Sequence, residues 1–200
     1  MFRAHLGIRR LLSWYPEDPK GFTLEDYLDE IIWKRMEVFL KLGLKELGLG
    51  DLLCGAEGPT DVLNIMKPLP PDPTIEKDTK QFFDKTGSLN SAVKQIIGKL
   101  FKTKAGTRAV DHRMYVFEEV SILFQAKGVK SGISVLNGED SLYSICESAK
   151  LGKKDRRSWV MVFVLSGPIR QKDGDMELFR ARFPRVLFLH GEGLQKFLPS

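Results

Sequence analysis

The residues best suited to chemistry lie at the two open ends of one predicted β-hairpin. Gln125 and Lys127 end the apolar run "VSILFQAK", and because alternate residues of a strand face the same side, their side chains project together. Asp111 lies fourteen residues before Gln125, just ahead of the run "RMYVF". An antiparallel hairpin brings its open ends together, so the sequence predicts that a carboxylate, an amide and an ammonium converge at one sheet edge.

This set of groups suits metal-dependent hydrolysis of a phosphodiester. Carboxylate and amide oxygens are hard ligands for Mg²⁺ or Mn²⁺, and such an ion keeps several waters and leaves room for a substrate phosphate. We therefore predict Asp111 and Gln125 as metal ligands. A neighbouring lysine can orient or help deprotonate the attacking water and stabilise charge developing on phosphorus, so Lys127 is the predicted catalytic lysine. His112 is a further candidate, as a third metal ligand or a proton carrier, with a purely structural role as the alternative.

The pattern Gln-Ala-Lys has almost no specificity by itself. A lysine at a strand end is usually solvated, and ordinary fraying of the strand is the alternative explanation for Gln125 and Lys127. The spacing to Asp111 and the elements that follow favour the site.

Those elements predict an α/β fold, a mixed β-sheet flanked by helices. Two strands form the hairpin, with Glu118 and Glu119 as its turn. The uninterrupted apolar run "SWVMVFVLSG" is typical of a strand that is covered on both faces. The order hairpin, helix, strand, helix, strand, helix uses in turn the segments "NGEDSLYSICESAKLG", "SWVMVFVLSG", "MELFRARF", "RVLFLHG" and "EGLQKFL".

The chain divides into three predicted parts. Residues 1–66 are expected to form an N-terminal helical lobe, because "GFTLEDYLDEIIWKRMEVFL" carries apolar residues at helical spacing. Four prolines place a linker at 67–78, and residues 79–200 are the candidate catalytic domain. Within that domain "GSLNSAVKQIIGKLFK", residues 87–102, predicts a short helix.

The arrangement of Asp111, hairpin, Gln-x-Lys, helix and strand resembles the PD-(D/E)XK restriction-endonuclease-like superfamily, in its Mrr-like branch that carries Gln in the second position. The ending "VLFLHGEGLQKFL" is similar to the closing strand and helix of that branch. Residues 98–170 look like the nuclease-like region of Crinkler effectors and retrotransposon hot spot proteins. The resemblance implies a restriction-endonuclease-like core, a Mg²⁺- or Mn²⁺-dependent endonuclease with DNA as the favoured substrate, and a possible nuclear location.

Two alternatives to a nuclease stay open. Active members of the superfamily usually have a Glu on the helix before the Asp, and residues 88–102 contain none; Gln95 is the nearest polar residue. A catalytically degenerate fold that binds nucleic acid without cutting it is therefore one alternative. The other is an effector or mobile-element accessory whose fold binds a protein.

Basic residues are concentrated in two stretches. The formal net charge is +5, and the segment 80–108 has seven basic residues against Asp84. The segment "KLGKKDRR", 150–157, has five against Asp155. Such clusters can neutralise phosphates, although solvated faces on a mildly basic protein are the alternative. The predicted nucleic-acid-binding residues are Lys99, Lys102, Lys104, Arg108, Lys130, Lys153, Lys154, Arg156 and Arg157.

The remaining composition indicates a protein of a reducing compartment. Cys54 and Cys146 are too few for a disulfide framework or a thiolate zinc site, and both are predicted to be buried thiols. No apolar run is long enough to cross a bilayer, and the first twenty residues lack the pattern of a secretion signal. We therefore expect an intracellular protein with no membrane partner; a homodimer or a partner protein is possible.

Overall fold

The structure is a computed structural model that describes residues 32, 35, 38, 41–42, 46–68, 75–79, 100–103, 110, 113–117, 120–128 and 131–197. Its main feature is a six-stranded sheet with the strand order β10-β8-β6-β5-β4-β3. The strands are β1 (Glu46–Gly48), β2 (Met66–Pro68), β3 (Ile75–Thr79), β4 (Leu100–Thr103), β5 (Arg113–Phe117), β6 (Val120–Lys127), β7 (Ile133–Ser134), β8 (Trp159–Leu165), β9 (Ile169–Arg170) and β10 (Val186–Leu189). The helices are α1 (Leu49–Leu52), α2 (Thr60–Leu63), α3 (Leu142–Ser148), α4 (Asp175–Arg182) and α5 (Gly191–Phe197), with 3₁₀ turns at Leu151–Lys153 and Arg156–Ser158.

Three parallel strands form one half of this sheet. β6 pairs with β8 and β8 with β10, all in the same direction, while β5 runs antiparallel to β6. Every residue of β8 is buried. Helices cover both faces of the strand, so the apolar side chains on either face are shielded from water. The predicted α/β class and the order of elements after residue 113 are confirmed.

The predicted hairpin is also confirmed. The register pairs Arg113 with Phe124 and Phe117 with Val120, which leaves two residues to connect the strands. β6 ends at Lys127, as the sequence predicts.

The two faces of the sheet bury separate apolar clusters. Alternate residues of the central strands face α5 and the short helices α1 and α2, including Phe124, Val162 and Leu187. The intervening residues, such as Leu123 and Phe163, pack against α3 and α4. Gln125 and Lys127 leave β6 on this second side, because they are two and four residues from Leu123.

The described part of the N-terminal lobe packs directly on the sheet. Leu49, Leu52 and Val62 belong to the same apolar cluster as the strands. Arg35 joins this part to the far end of the chain, since Nη1 donates to the Leu52 carbonyl at 3.3 Å and Nη2 to the Phe197 carbonyl at 2.7 Å. Its guanidinium also lies 4.8 Å from the centre of the Phe197 ring. No helix in the described ranges is both long and apolar enough to cross a bilayer.

Three sequence expectations differ from the structure. Residues 100–102, predicted as the end of a helix, belong to β4, because pairing with β5 favours an extended backbone for Leu100 and Phe101. Both ends of the predicted 67–78 linker are strands, β2 and β3. Cys54 is exposed in the turn after α1, whereas Cys146 is buried as predicted, and its burial raises the pKa of its thiol.

Candidate functional site

A cavity of about 380 Å³ opens at the end of β6, and Lys127 forms part of its wall. This is the edge where the parallel strands end, a common location for ligands in α/β sheets. The other lining residues come mainly from the segment between β6 and α3: Ser131, Gly132, Ile133, Ser134, Asn137, Gly138, Glu139, Asp140 and Ser141, with Arg170 from β9.

One wall of the cavity is held by the small parallel pair β7 and β9. Ile133 pairs with Ile169, the amide of Ile133 donates to the Pro168 carbonyl at 3.0 Å, and the amide of Val135 donates to the Arg170 carbonyl at 3.1 Å. Gly132 permits this approach, because its φ is +81° and a β-carbon there would collide with the Pro168 carbonyl. The pairing therefore carries Arg170 to the cavity.

Short polar side chains fix the loop that leads into α3. Ser141 is the N-cap of α3 and accepts a hydrogen bond from the Ser144 amide at 3.1 Å. Ser134 Oγ accepts one from the Asn137 amide at 3.2 Å. These bonds set the position of Glu139 and Asp140 between the two serines.

The cavity brings two cations and two carboxylates together. Lys127 Nζ lies 4.0 Å from Asp140 Oδ1, and the side chain of Asp140 is 94% exposed. A pair that is this exposed and this long contributes little to stability. Glu139 and Arg170 are also exposed. The carboxylates are suitable ligands for a hard divalent cation, and the cations are suitable partners for a phosphate.

Gln125 shares a face with Lys127, as predicted, but it does not line the cavity. It is 1% exposed, and its Nε2 donates to the Ala126 carbonyl at 3.4 Å. Of the two polar atoms of the amide, the oxygen Oε1 is the one that a hard cation would bind.

The predicted partners of Gln125 lie outside the described residues. These are Asp111 and His112. Val110, immediately before them, packs against the apolar cluster on the α3 side of the sheet, the side from which Gln125 and Lys127 emerge. Within the described residues, no group of three or more His, Cys, Asp or Glu side chains forms a potential metal site.

Four of the predicted basic residues lie far from Lys127. Lys153, Lys154, Arg156 and Arg157 precede β8, and Trp159 at the start of β8 pairs with Ser121, six residues before Lys127. At about 3.3 Å per residue along the strand, this basic segment lies at the opposite end of β6 and β8, about 20 Å from Lys127. Lys102 is in β4; Lys99, Lys104, Arg108 and Lys130 lie outside the described residues.

Sequence reasoning missed three charged members of the cavity: Glu139, Asp140 and Arg170. For the two carboxylates, the short distance in sequence from a Gln-x-Lys strand end is the signal that could have identified them. Arg170 offers no such signal, because the two-residue strand that carries it is defined by its partner β7. No protein-family model, curated protein or solved structure matches this chain.

Proposed function

We propose that this chain is a metal-dependent nuclease of the restriction-endonuclease-like type, with DNA as its favoured substrate. The observation that carries the proposal is the position of Lys127. Its ammonium lies at the end of a central parallel strand, in an open cavity, 4.0 Å from the Asp140 carboxylate. A cation and a metal-binding carboxylate side by side are what phosphodiester hydrolysis requires.

The topology of the central elements supports the same proposal. A hairpin leads through Gln125 and Lys127 to helix α3 and then to the parallel strand β8. This is the order on which the resemblance to the PD-(D/E)XK superfamily rests. Arg113 is paired with Phe124, next to Gln125, and Asp111 is two residues before Arg113 in the sequence.

The oxygen groups near the cavity fit Mg²⁺ or Mn²⁺. Mg²⁺ usually takes one or two carboxylates and keeps several waters, so it does not need a cage of three acidic side chains. In the proposal Asp111 and Asp140 supply the carboxylates and Gln125 supplies Oε1. When bound, the ion would lower the pKa of a water and neutralise charge on the phosphate.

Lys127 then has a role that needs no change of its protonation state. As an ammonium it holds a phosphate oxygen and orients the attacking water. Arg170, which also lines the cavity, can bind a second phosphate of the polymer.

Replacing Lys127 tests the proposal directly. Cleavage of single- and double-stranded DNA and RNA is measured with Mg²⁺, Mn²⁺ or EDTA, for the parent protein and for Lys127→Ala. We expect Mg²⁺-dependent cleavage by the parent and a loss of about 10²- to 10³-fold in the variant, with binding retained. Lys172→Ala, which removes an exposed lysine outside the cavity, should cleave like the parent. A parent protein that cuts none of these substrates would refute nuclease activity.

A second candidate function is a nucleic-acid-binding module without catalysis. One observation favours it: the basic segment at 153–157 lies far from the cavity. In this case nucleic acid would bind equally well with Mg²⁺ and with EDTA. The parent would cleave no substrate, and Lys127→Ala would bind nucleic acid as the parent does.

A further inference from the structure

Six cations form a cluster at the edge of the sheet where β6 and β8 begin. They lie on the turns after α3 and on the loop before β10. We call them the basic edge cluster: Lys150, Lys153, Lys154, Arg156, Arg157 and Arg185.

Backbone hydrogen bonds hold this cluster in place. Arg185 Nη1 donates to the Arg156 carbonyl at 2.9 Å, which joins the loop before β10 to the 3₁₀ turn before β8. Asp155 caps that turn, since its Oδ1 accepts a hydrogen bond from the Arg157 amide at 3.0 Å. The charged groups therefore project from a defined surface.

Positive charge dominates the segment that carries most of the cluster: residues 150–157 contain five cations and one carboxylate, Asp155. Burial lowers the pKa of Arg185, and the charges of Asp61 and Asp155 act in the opposite direction. Glu147, also nearby, is paired with Arg182 at 3.1 Å. Burial, together with the smaller effect of the charge of Lys150, lowers the pKa of Lys154 to about 8. Like charges held together in this way disfavour the folded state and favour the binding of a polyanion.

We infer that the basic edge cluster is an exosite that binds duplex DNA at a distance from the cleavage cavity. The register of β6 and β8 separates it from Lys127 by six residues of strand, about 20 Å. At about 3.4 Å per base pair, a substrate must extend by at least about six base pairs to reach from one site to the other. The inference rests on the proposed function for the identity of its ligand. It also implies that a duplex long enough to reach both sites binds more tightly than a shorter one.

The surface chemistry favours nucleic acid over a membrane. A protein that settles on a bilayer usually adds exposed apolar side chains to its basic residues. The large hydrophobic side chains exposed in the described part of the chain are Val38, Leu42 and Leu178, and none of them lies in the 150–157 segment.

Two matched double variants test the exosite. Arg156→Ala/Arg157→Ala removes two exposed cations from the cluster and keeps the backbone atoms that bind Arg185 and Asp155. Lys172→Ala/Lys196→Ala removes two exposed cations elsewhere and gives the same net charge. Binding of a fluorescent 30-base-pair duplex is measured in EDTA at several salt concentrations, so that no cleavage is needed.

We expect the cluster variant to lose about tenfold in affinity and to lower the slope of log Kd against log salt by about 2, near 0.9 for each lost phosphate contact. The control should stay within about twofold of the parent. Equal losses in both variants would show an effect of net charge alone and overturn the exosite. Binding to phosphatidylserine vesicles that depends on Arg156 and Arg157, with no binding to the duplex, would overturn it in favour of a membrane.

A small substrate separates this inference from the proposed function. Bis(p-nitrophenyl) phosphate reaches only the Lys127 cavity, so its hydrolysis should be unchanged in Arg156→Ala/Arg157→Ala and lost in Lys127→Ala. If nothing is hydrolysed but the cluster variant still weakens duplex binding, the nuclease proposal fails and the exosite stands. If hydrolysis is normal and duplex binding is unchanged by the cluster variant, the exosite fails and the nuclease stands.

Discussion

The ammonium of Lys127 lies 4.0 Å from the carboxylate of Asp140, and this pair joins the end of β6 to the loop before α3. Asp140 is almost fully exposed, so its carboxylate is accessible to an ion or a substrate from solvent. Because the pair contributes little to stability, its role in activity can be tested without unfolding the protein.

Replacing Asp140 should weaken the dependence of cleavage on Mg²⁺. In Asp140→Asn we expect the Mg²⁺ concentration for half-maximal cleavage to rise at least about tenfold, because the proposed site loses a carboxylate ligand. The free energy of unfolding should change by less than about 0.5 kcal/mol. Titration of the cleavage rate with Mg²⁺ measures the effect. Asp173→Asn, at another exposed aspartate, is the control; equal metal dependence in both variants would remove Asp140 from the site.

A carboxylate at position 125 tests whether the metal reaches the buried end of the site. In Gln125→Glu a buried charge replaces an amide that is 1% exposed, so we expect the free energy of unfolding in EDTA to fall by about 2–4 kcal/mol. Since the proposal makes residue 125 a ligand, Mg²⁺ should restore at least half of this loss. Urea denaturation with and without Mg²⁺ measures both effects. Gln125→Met, which adds no charge, should show no recovery; an equal response of the two variants would contradict the assignment.

Two serine-to-alanine substitutions should have opposite effects on stability. The Ser121 hydroxyl is buried and has no hydrogen-bond partner among the residues that the structure describes. Ser121→Ala therefore removes a desolvated polar group and should stabilise the protein by up to about 1 kcal/mol. Ser141→Ala loses the N-cap of α3 and should destabilise it by about 1 kcal/mol. Chemical denaturation of both variants provides the comparison, and a destabilised Ser121→Ala would show that the hydroxyl has a partner.

The half-buried Lys154 should make the free energy of unfolding depend on pH in the alkaline range. Burial, together with the charge of Lys150, lowers the pKa of Lys154 from 10.5 to about 8 in the folded protein. Between these values the unfolded chain binds more protons than the folded one, so the contribution of this lysine to stability rises with pH from about 8 to about 10.5. The urea midpoint of the parent, relative to that of Lys154→Met, should therefore rise over this range. Lys153→Met, at an exposed neighbour, should give a constant difference.

The sequence predicts the central elements well because their signals are local. The apolar run of β8 and the two strands of the hairpin carry their own pattern of hydrophobic residues, and both were found where that pattern indicates. β4 was mistaken for the end of a helix, because the preference of Leu100 and Phe101 for a strand depends on β5 beside them.

The candidate site could be predicted only in part, for the same reason. The shared face of Gln125 and Lys127 follows from the alternation of a strand. The cavity follows from the pairing of Ile133 with Ile169, which are far apart in the sequence and lie in strands of two residues. Such short strands leave no periodic pattern, so the presence of Arg170 in the same cavity as Lys127 could not be inferred from the residues alone.

The hydrogen bonds of Arg35 have a consequence for how the chain folds during synthesis. Its guanidinium binds carbonyl groups of Lys196 and Phe197, which are 161 and 162 residues later in the chain. The ribosome must therefore translate most of the protein before Arg35 finds these partners, and at about 5–20 residues per second this takes roughly 8–30 seconds. During that interval the surface of the N-terminal segment that faces α5 in the finished protein is open to solvent and to chaperones.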